Sequence, residues 1–329
     1  MDKAFKASII LLIITALLIF FSPLININEL LYPVRIDSSY VKLSQKAFYR
    51  QPGSDSIADA DRFYYNPSHY GLNYRRLEVR NCENMLLKGW FIMANPSSPT
   101  LILLHDRNES KITFLKAARE FHDRGFNIVL MDLRAHGESE GLMQTFGKKE
   151  YEDVITVLDT VYKYVESEQV AILGKGTGAN IALTVASLDS RVGCVVAQSP
   201  YNSLGAYIQR YADHKYGALG TGVYSLMYRQ LTRLLTFEPH KVRYDSLVQK
   251  FSKPALFIGA IEDKQVPLEE SYNLYRLCTS VNKNFYTIRN AGHDNIEEVV
   301  GSDYYNEISI FIISAFPKIT VKSRFRNSA

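Results

Sequence analysis

Residues 170–180, Val-Ala-Ile-Leu-Gly-Lys-Gly-Thr-Gly-Ala-Asn, run from an apolar strand pattern through a tight glycine-rich turn into a helical pattern. Such a turn holds its central side chain in a strained conformation at the top of a sheet, and its flanking residues are glycines because larger side chains would clash. This is the setting of a nucleophile, yet the central residue is Gly176, between Gly174 and Gly178. The same stretch also suits an anion at a helix start, since Gly174-x-Gly176-x-x-Ala179 threads a dinucleotide-binding fingerprint. That fingerprint belongs after the first strand of its domain, whereas four strand patterns precede it here. A phosphate loop needs a longer glycine spacing and a Lys followed directly by Ser or Thr, and Lys175 is followed by Gly176. Flanking segments must decide between these alternatives.

Other residues able to do chemistry stand at the ends of apolar runs: His105 and Asp106, Asp132 and His136, Asp263, and His293. Singly, an Asp in a turn and a His in a loop are ordinary surface residues. His105, Asp132, His136 and His293 include no pair at metal-ligand spacing such as H-E-x-x-H, so no metal is expected. Cys82, Cys194 and Cys278 lie far apart without C-x-x-C spacing, which suggests neither a disulfide framework nor a zinc site. No cofactor is expected.

The elements that must position these residues alternate from Asn73 onward. Leu77–Val79 and Leu86–Met93 read as an early antiparallel pair, and Leu101–Leu104 as a buried strand. A helix is predicted over Thr113–Arg124, where Phe114, Leu115, Ala118 and Phe121 recur at helical spacing and Gly125 supplies the stop. Then follow a strand at Asn127–Leu133, a helix at Tyr151–Val165, a strand at Val170–Leu173 and a helix at Ala179–Leu188. Val192–Ala197, Ala255–Gly259 and Phe285–Ile288 add three strands. Alternation of this kind predicts an α/β fold, a mainly parallel central sheet with helices on both faces. Tyr201–Lys250, rich in Tyr and Leu, breaks the rhythm and reads as a small helical cap insertion over the strand ends, where α/β sheets bind ligands.

With this order in place the chain resembles the α/β-hydrolase family from about Asn66 to Phe316. Asn84-Met-Leu-Leu-Lys-Gly-Trp90 resembles an early strand motif of the family, and His105-Asp106 its His-Gly oxyanion turn. Asp132-Leu-Arg-Ala-His-Gly-Glu-Ser139 is similar to its D-x-R-G-H-G-x-S loop, with Ala135 for a glycine. Gly259-Ala-Ile-Glu-Asp263 with Val266-Pro267 matches the segment carrying the acid, and Ala291-Gly-His293 the segment carrying the base. The likeness is to membrane-anchored bacterial hydrolases of the serine peptidase and esterase branch. It implies that His293 is the base, oriented by Asp263, and that the backbone N–H groups of Arg107 and Thr177 form the oxyanion hole. Gly176 then stands where the nucleophilic serine belongs. Losing that serine costs about 10⁶ in turnover, so ordinary acyl-enzyme catalysis is excluded. Thr177 is the substitute candidate, although its side chain is expected to turn into the helix start, and Ser199 matches a structural position. Asp106, in place of the family's glycine, is expected to bring a carboxylate near the oxyanion site.

At 329 residues, 47% hydrophobic and 22% charged, the chain has enough apolar surface for a large core, and a net charge of +4 is too mild to imply nucleic acid. Ala7 to Phe21 carries no charge, and the apolar run reaches Ile25, near the roughly 20 residues a membrane span needs. No small-x-small cleavage site follows it. The expected organisation is therefore an uncleaved signal anchor at 1–25, a membrane-proximal linker at 26–65, the hydrolase-like domain at 66–316 with its cap at 201–250, and a basic tail at 317–329. Lys3 and Lys6 before the run leave the N-terminus in the cytoplasm and the domain exported. The expected function is a catalytically degenerate hydrolase relic that binds a small acyl or peptide-like ligand or a protein partner. The alternative is an active ester or amide hydrolase in which His293 activates water or Thr177 substitutes for the serine.

Overall fold

Strands that are apolar on both sides need cover on both faces of their sheet, and that requirement sets the layers of this chain. The computed structural model describes residues 8–13, 15, 27–36, 66–166 and 169–316. Its strands are β1 (Arg75–Arg80), β2 (Leu86–Ile92), β3 (Thr100–Leu104), β4 (Asn127–Met131), β5 (Val170–Lys175), β6 (Val192–Gln198), β7 (Ala255–Ala260) and β8 (Lys283–Ile288). They form one sheet in the order β1-β2-β4-β3-β5-β6-β7-β8, with β2 antiparallel to both its neighbours and the other pairs parallel. The helices are α1 (Leu115–Asp123), α2 (Glu150–Val161), α3 (Thr177–Leu188), α4 (Leu204–Tyr216), α5 (Gly220–Leu235), α6 (Tyr244–Val248), α7 (Leu268–Leu277), α8 (Ile296–Val300) and α9 (Ser302–Ala315).

The period-two alternation of a strand divides the core in two. Leu101 and Leu103 of β3, with Ile128, Leu130 and Leu173, pack against α1 and α9. Ile102 and Leu104, with Val129, Met131 and Ile172, face α2, α3 and the helices of the insertion. The mainly parallel sheet with helices on both faces is thus the expected architecture. The helix predicted over Thr113–Arg124 opens instead as a 3-10 turn, Lys111–Phe114, because the Lys111 N–H and ammonium are both drawn to the buried Asp132 carboxylate. Helices α7, α8 and α9 lie outside the expected elements; α9 is made helical by burial of Tyr304, Tyr305, Ile308, Phe311 and Ile312 along one face.

The turn between β5 and α3 shows why its glycines are needed. A Cβ on Gly174 would overlap the carbonyl of Gly178, and one on Gly178 would overlap the Leu104 carbonyl of β3. Gly176 between them has φ +51° and ψ −115°, a conformation that side chains resist. Backbone therefore approaches backbone where β3, β5 and α3 meet, and all three end at the same point above the sheet.

Of the expected anchor at 1–25, residues 8–13 and 15 are described; they are helical, and Ile9 to Ile13 are exposed. Among the described residues no helix is long and apolar enough to cross a membrane. Of the expected linker at 26–65, only 27–36 is described, and these residues are docked on the domain. Ile27, Leu30 and Leu31 are buried in the core, the Gln144 N–H donates to the Leu31 carbonyl at 2.9 Å, and Arg35 donates to the carbonyls of Gly137, Ser139 and Gly141. Ten residues of the expected tether are thus a strap along the domain, because their apolar side chains find cover there. The tail at 317–329 lies outside the described residues.

Gly174→Ala is expected to lower stability by about 3 kcal/mol, through overpacking against backbone that has nowhere to move. Gly222→Ala, in α5 with open space around it, should raise stability by up to about 1 kcal/mol. Urea unfolding of the two variants checks both signs, and an unchanged midpoint for Gly174→Ala would contradict the close approach described.

Candidate active site

Three loops at the carboxyl ends of β3, β7 and β8 bring Asp106, Asp263 and His293 together above Gly176. Asp263 follows β7 in a turn whose amides hold its carboxylate: the N–H groups of Gln265 and Val266 donate to Oδ1 at 2.9 and 2.8 Å. Its Oδ2 accepts from the Ser199 hydroxyl at 2.9 Å and lies 2.7 Å from Nδ1 of His293. Ser199, at φ +50° just after β6, therefore buttresses the carboxylate. The Asp263–His293 pair that the motif order implied is formed.

On its far side the imidazole meets a second carboxylate. Nε2 of His293 is 2.9 Å from Oδ2 of Asp106, whose Oδ1 accepts the Thr177 N–H at 2.7 Å. The Arg107 N–H also favours the charge on this carboxylate. Of the two amides implied for an oxyanion hole, that of Thr177 is bonded to Asp106 and that of Arg107 helps hold its charge. A Cβ on Gly176 would overlap the Asp106 carboxylate, so the carboxylate fills the space a side chain at 176 would enter. Asp106 is buried and His293 half-buried, with side-chain exposures of 11% and 8%.

Burial opposes charge on both partners, but the short contacts outweigh it. For His293, burial would lower the pKa, yet the hydrogen bonds and charges of Asp106 and Asp263 raise it to about 11. For Asp106, burial would raise the pKa, yet His293 and the amides of Thr177 and Arg107 bring it down to about 2. The centre is an imidazolium between two carboxylates. An imidazolium has no lone pair to take a proton from water or from a hydroxyl. The Thr177 hydroxyl is buried and, unlike the Thr177 amide, makes no contact with this group.

The neighbouring residues fix the backbone around Asp106. His105 Nδ1 bonds to the Asp106 carbonyl at 2.7 Å and its Nε2 accepts the Leu133 N–H at 3.0 Å, while the Asp106 N–H donates to Glu109 at 3.1 Å. Burial keeps His105 neutral, with its pKa lowered to about 4; burial and the adjacent His105 lower His136 to about 3. The 132–139 segment is a structural knot. Asp132 is bonded to Lys111 and the Glu138 N–H, and Arg134 is bonded to Asp153 and Glu83. Among the described residues no group of three His, Cys, Asp or Glu is arranged to hold a metal ion. Residues that the sequence did not single out close the site from the cap side. Tyr201 stacks on Tyr207 with ring centroids 4.6 Å apart, and the Tyr207 hydroxyl accepts from Arg107 Nε at 3.2 Å. The Arg107 guanidinium also reaches the carbonyl of Glu29 in the strap, at 3.4 Å.

Residues 95–247, somewhat under half of the chain, match the family model described as serine aminopeptidase, S33. The uncharacterized protein YqkD of Bacillus subtilis is 23% identical over 192 residues, covering 57% of this chain and 63% of that protein. The thiohydrolase aneE of Aspergillus aculeatus is 26% identical over 132 residues, covering 39% of this chain and 42% of that protein. The chain therefore spans less than two thirds of the length of these relatives. Among solved structures, the esterase PF2001 of Pyrococcus furiosus superposes with a TM-score of 0.64 at 23% identity, over 76% of this chain and 94% of that one. These likenesses, with the sheet order, show the α/β-hydrolase fold.

Because His293 is raised from 6.5 to about 11, its contribution to stability is complete below pH 6.5 and is lost as pH climbs through about 11. Asp106 is lowered from 3.8 to about 2, so its contribution is present above pH 3.8 and lost as pH falls through about 2. His293 should accordingly keep both ring protons across roughly pH 5 to 9, where a free histidine titrates. Ring nitrogen chemical shifts measured by NMR check this, and a midpoint near the ordinary value would contradict the double pairing.

Proposed function

We propose that this chain is a membrane-anchored α/β-hydrolase homologue whose hydrolytic centre is closed from within, and that it works by binding rather than by acyl transfer. The observation that carries the proposal is the Asp106 carboxylate, bonded at once to the Thr177 N–H and to His293 above Gly176. It stands in for two things a serine hydrolase needs free. One is the space of the nucleophile at 176, and the other is the pair of N–H donors for a developing oxyanion. Asp263 and His293 then serve as structural partners of Asp106, tying the loops after β7 and β8 to the turn after β3.

The alternative, hydrolysis by water that His293 activates or by Thr177, requires a neutral His293 with a free Nε2. Both ring nitrogens face carboxylates instead, which favours the closed reading. What is bound is a small acyl or peptide-like ligand, or a protein partner, at the cap formed by residues 201–250; relatives of the fold include a thiohydrolase and an esterase. The N-terminal apolar run is the anchor. Its support is the charge-free stretch from Ala7 to Phe21 after Lys3 and Lys6, and the exposed Ile9 to Ile13 of its described part. The domain is then exported and the N-terminus cytoplasmic.

The test is hydrolysis of activated acyl esters and thioesters by the full-length wild type, Gly176→Ser, Asp106→Gly/Gly176→Ser, and that double variant with His293→Ala. Wild type and Gly176→Ser are expected at background, because a serine at 176 collides with a carboxylate that also blocks the oxyanion donors. Removing the carboxylate and adding the hydroxyl together should raise turnover roughly 10² to 10³-fold, the range expected for restored oxyanion donors, and His293→Ala should abolish the gain. Turnover by the wild type that depends on His293 would overturn the proposal.

A further inference from the structure

The strap places constraints on where the anchor lies. Glu29 bonds to the Tyr211 hydroxyl at 2.9 Å and to the Lys215 ammonium, both on α4, so this part of the chain is fastened to the cap. The apolar run reaches Ile25, and Ile27 is already buried in the domain. Two residues of chain span no more than about 7 Å, so the end of the anchor cannot leave the side of the molecule that Ile27 occupies.

The outer surface on this side has an unusual composition. Helix α5 contains no acidic residue. Leu226, Arg229 and Arg233 are exposed at i, i+3 and i+7, on one face of it. Neither arginine has an ion pair among the described residues. Leu219 is 61% exposed just before this helix and Leu234 43% exposed near its end. Leu234 lines a cleft of about 690 Å³ together with Leu142 and with Arg35 of the strap, so strap, loop and cap surface are contiguous. Leu142 is 87% exposed at the rim. Three acidic residues line that cleft, and each has a partner: Glu83 is paired with Arg134 and Lys149, Glu138 with Lys111, and Glu140 accepts the Leu86 N–H.

We propose that the outer face of α5, with Leu142 and Leu219 beside it, rests on the surface of the membrane that holds the N-terminal helix, and that it recognises anionic phospholipid headgroups. This rests on the anchor proposed above and goes beyond it by orienting the domain, cap toward the bilayer. Exposed leucines among unpaired arginines are the composition of an interfacial helix face, where apolar side chains enter the headgroup boundary and cations meet lipid phosphates. Each arginine near an anionic surface is worth about fivefold in the docking equilibrium.

The experiment uses the full chain with Cys82→Ser, reconstituted in vesicles, carrying an environment-sensitive fluorophore at Leu226→Cys or at Val281→Cys. Val281 is fully exposed and precedes the parallel strand β8, so it lies at the opposite end of the sheet from the cap. In vesicles of mixed phosphatidylglycerol and phosphatidylcholine, the label at 226 should be blue-shifted and quenched by doxyl lipid, and the label at 281 should not. Arg229→Glu/Arg233→Glu should weaken the docking equilibrium by at least about 25-fold and release the label at 226. Equal accessibility of both labels in protein that resists alkaline carbonate extraction overturns the proposed face and leaves the anchor standing. Quenching at 226 that is as strong in pure phosphatidylcholine overturns recognition of anionic lipid. Extraction of the protein by alkaline carbonate overturns the anchor, and the orientation with it.

Discussion

A carboxylate buried between an imidazolium and a backbone amide can leave only by giving up both contacts together, and at the heart of this chain that carboxylate belongs to Asp106. Its charge is affordable in a buried place because His293 neutralises it and the Thr177 and Arg107 N–H groups solvate it. The charge of His293 is stabilised in turn by Asp263, which is held by two amides and by Ser199. One chain of charge-assisted bonds therefore joins the loops after β3, β6, β7 and β8 to the start of α3. Removing His293 would leave two carboxylates without their counter-charge, and breaking a buried ion pair in this way typically costs about 3 to 5 kcal/mol. On the reading proposed above, this network gives Asp263 and His293 a structural use, that of keeping a third charged group in place.

On that reading, Asp106 and Gly176 are one structural event. An aspartate in the turn after β3 needs room above the β5–α3 turn, and only a glycine at 176 provides it. Glycine also removes the strain that any side chain would carry at φ +51°. The turn itself is otherwise unchanged, because Gly174 and Gly178 are required by backbone packing among β3, β5 and α3 and not by chemistry. The frame of this turn is thus set by backbone clearance, and the groups that occupy the gap above it are a separate matter.

Around this centre the chain is closed from the cap side. Tyr201 and Tyr207 stack beside Arg107, and Arg107 links them to the backbone of the strap. The strap is secured by its buried Ile27, Leu30 and Leu31 and by Arg35, which reaches three carbonyls of the 137–141 loop. A segment next to the apolar N-terminal run is in this way joined, through one guanidinium, to the residue that follows Asp106.

Much of this was legible in the residues alone. Strand and helix alternation and the glycine spacing of the β5–α3 turn are local patterns with fixed geometric meaning and predicted the fold, whereas the pair Asp263–His293 was implied by the resemblance to the α/β-hydrolase family. Asp106 was visible as a substitution near the oxyanion position. Its bond to His293 was not, because that contact joins residues far apart in sequence and depends on how two loops converge. The same holds for the strap: Ile27, Leu30 and Leu31 read as part of a polar and aromatic linker until the domain offers them a surface. Sequence by itself determined the strands, the helices up to α3 and which side chains stand at the strand ends, as these follow from periodicity and turn chemistry. Only the tertiary structure decided which charge meets which, because pairing of buried groups is settled by distance across the fold.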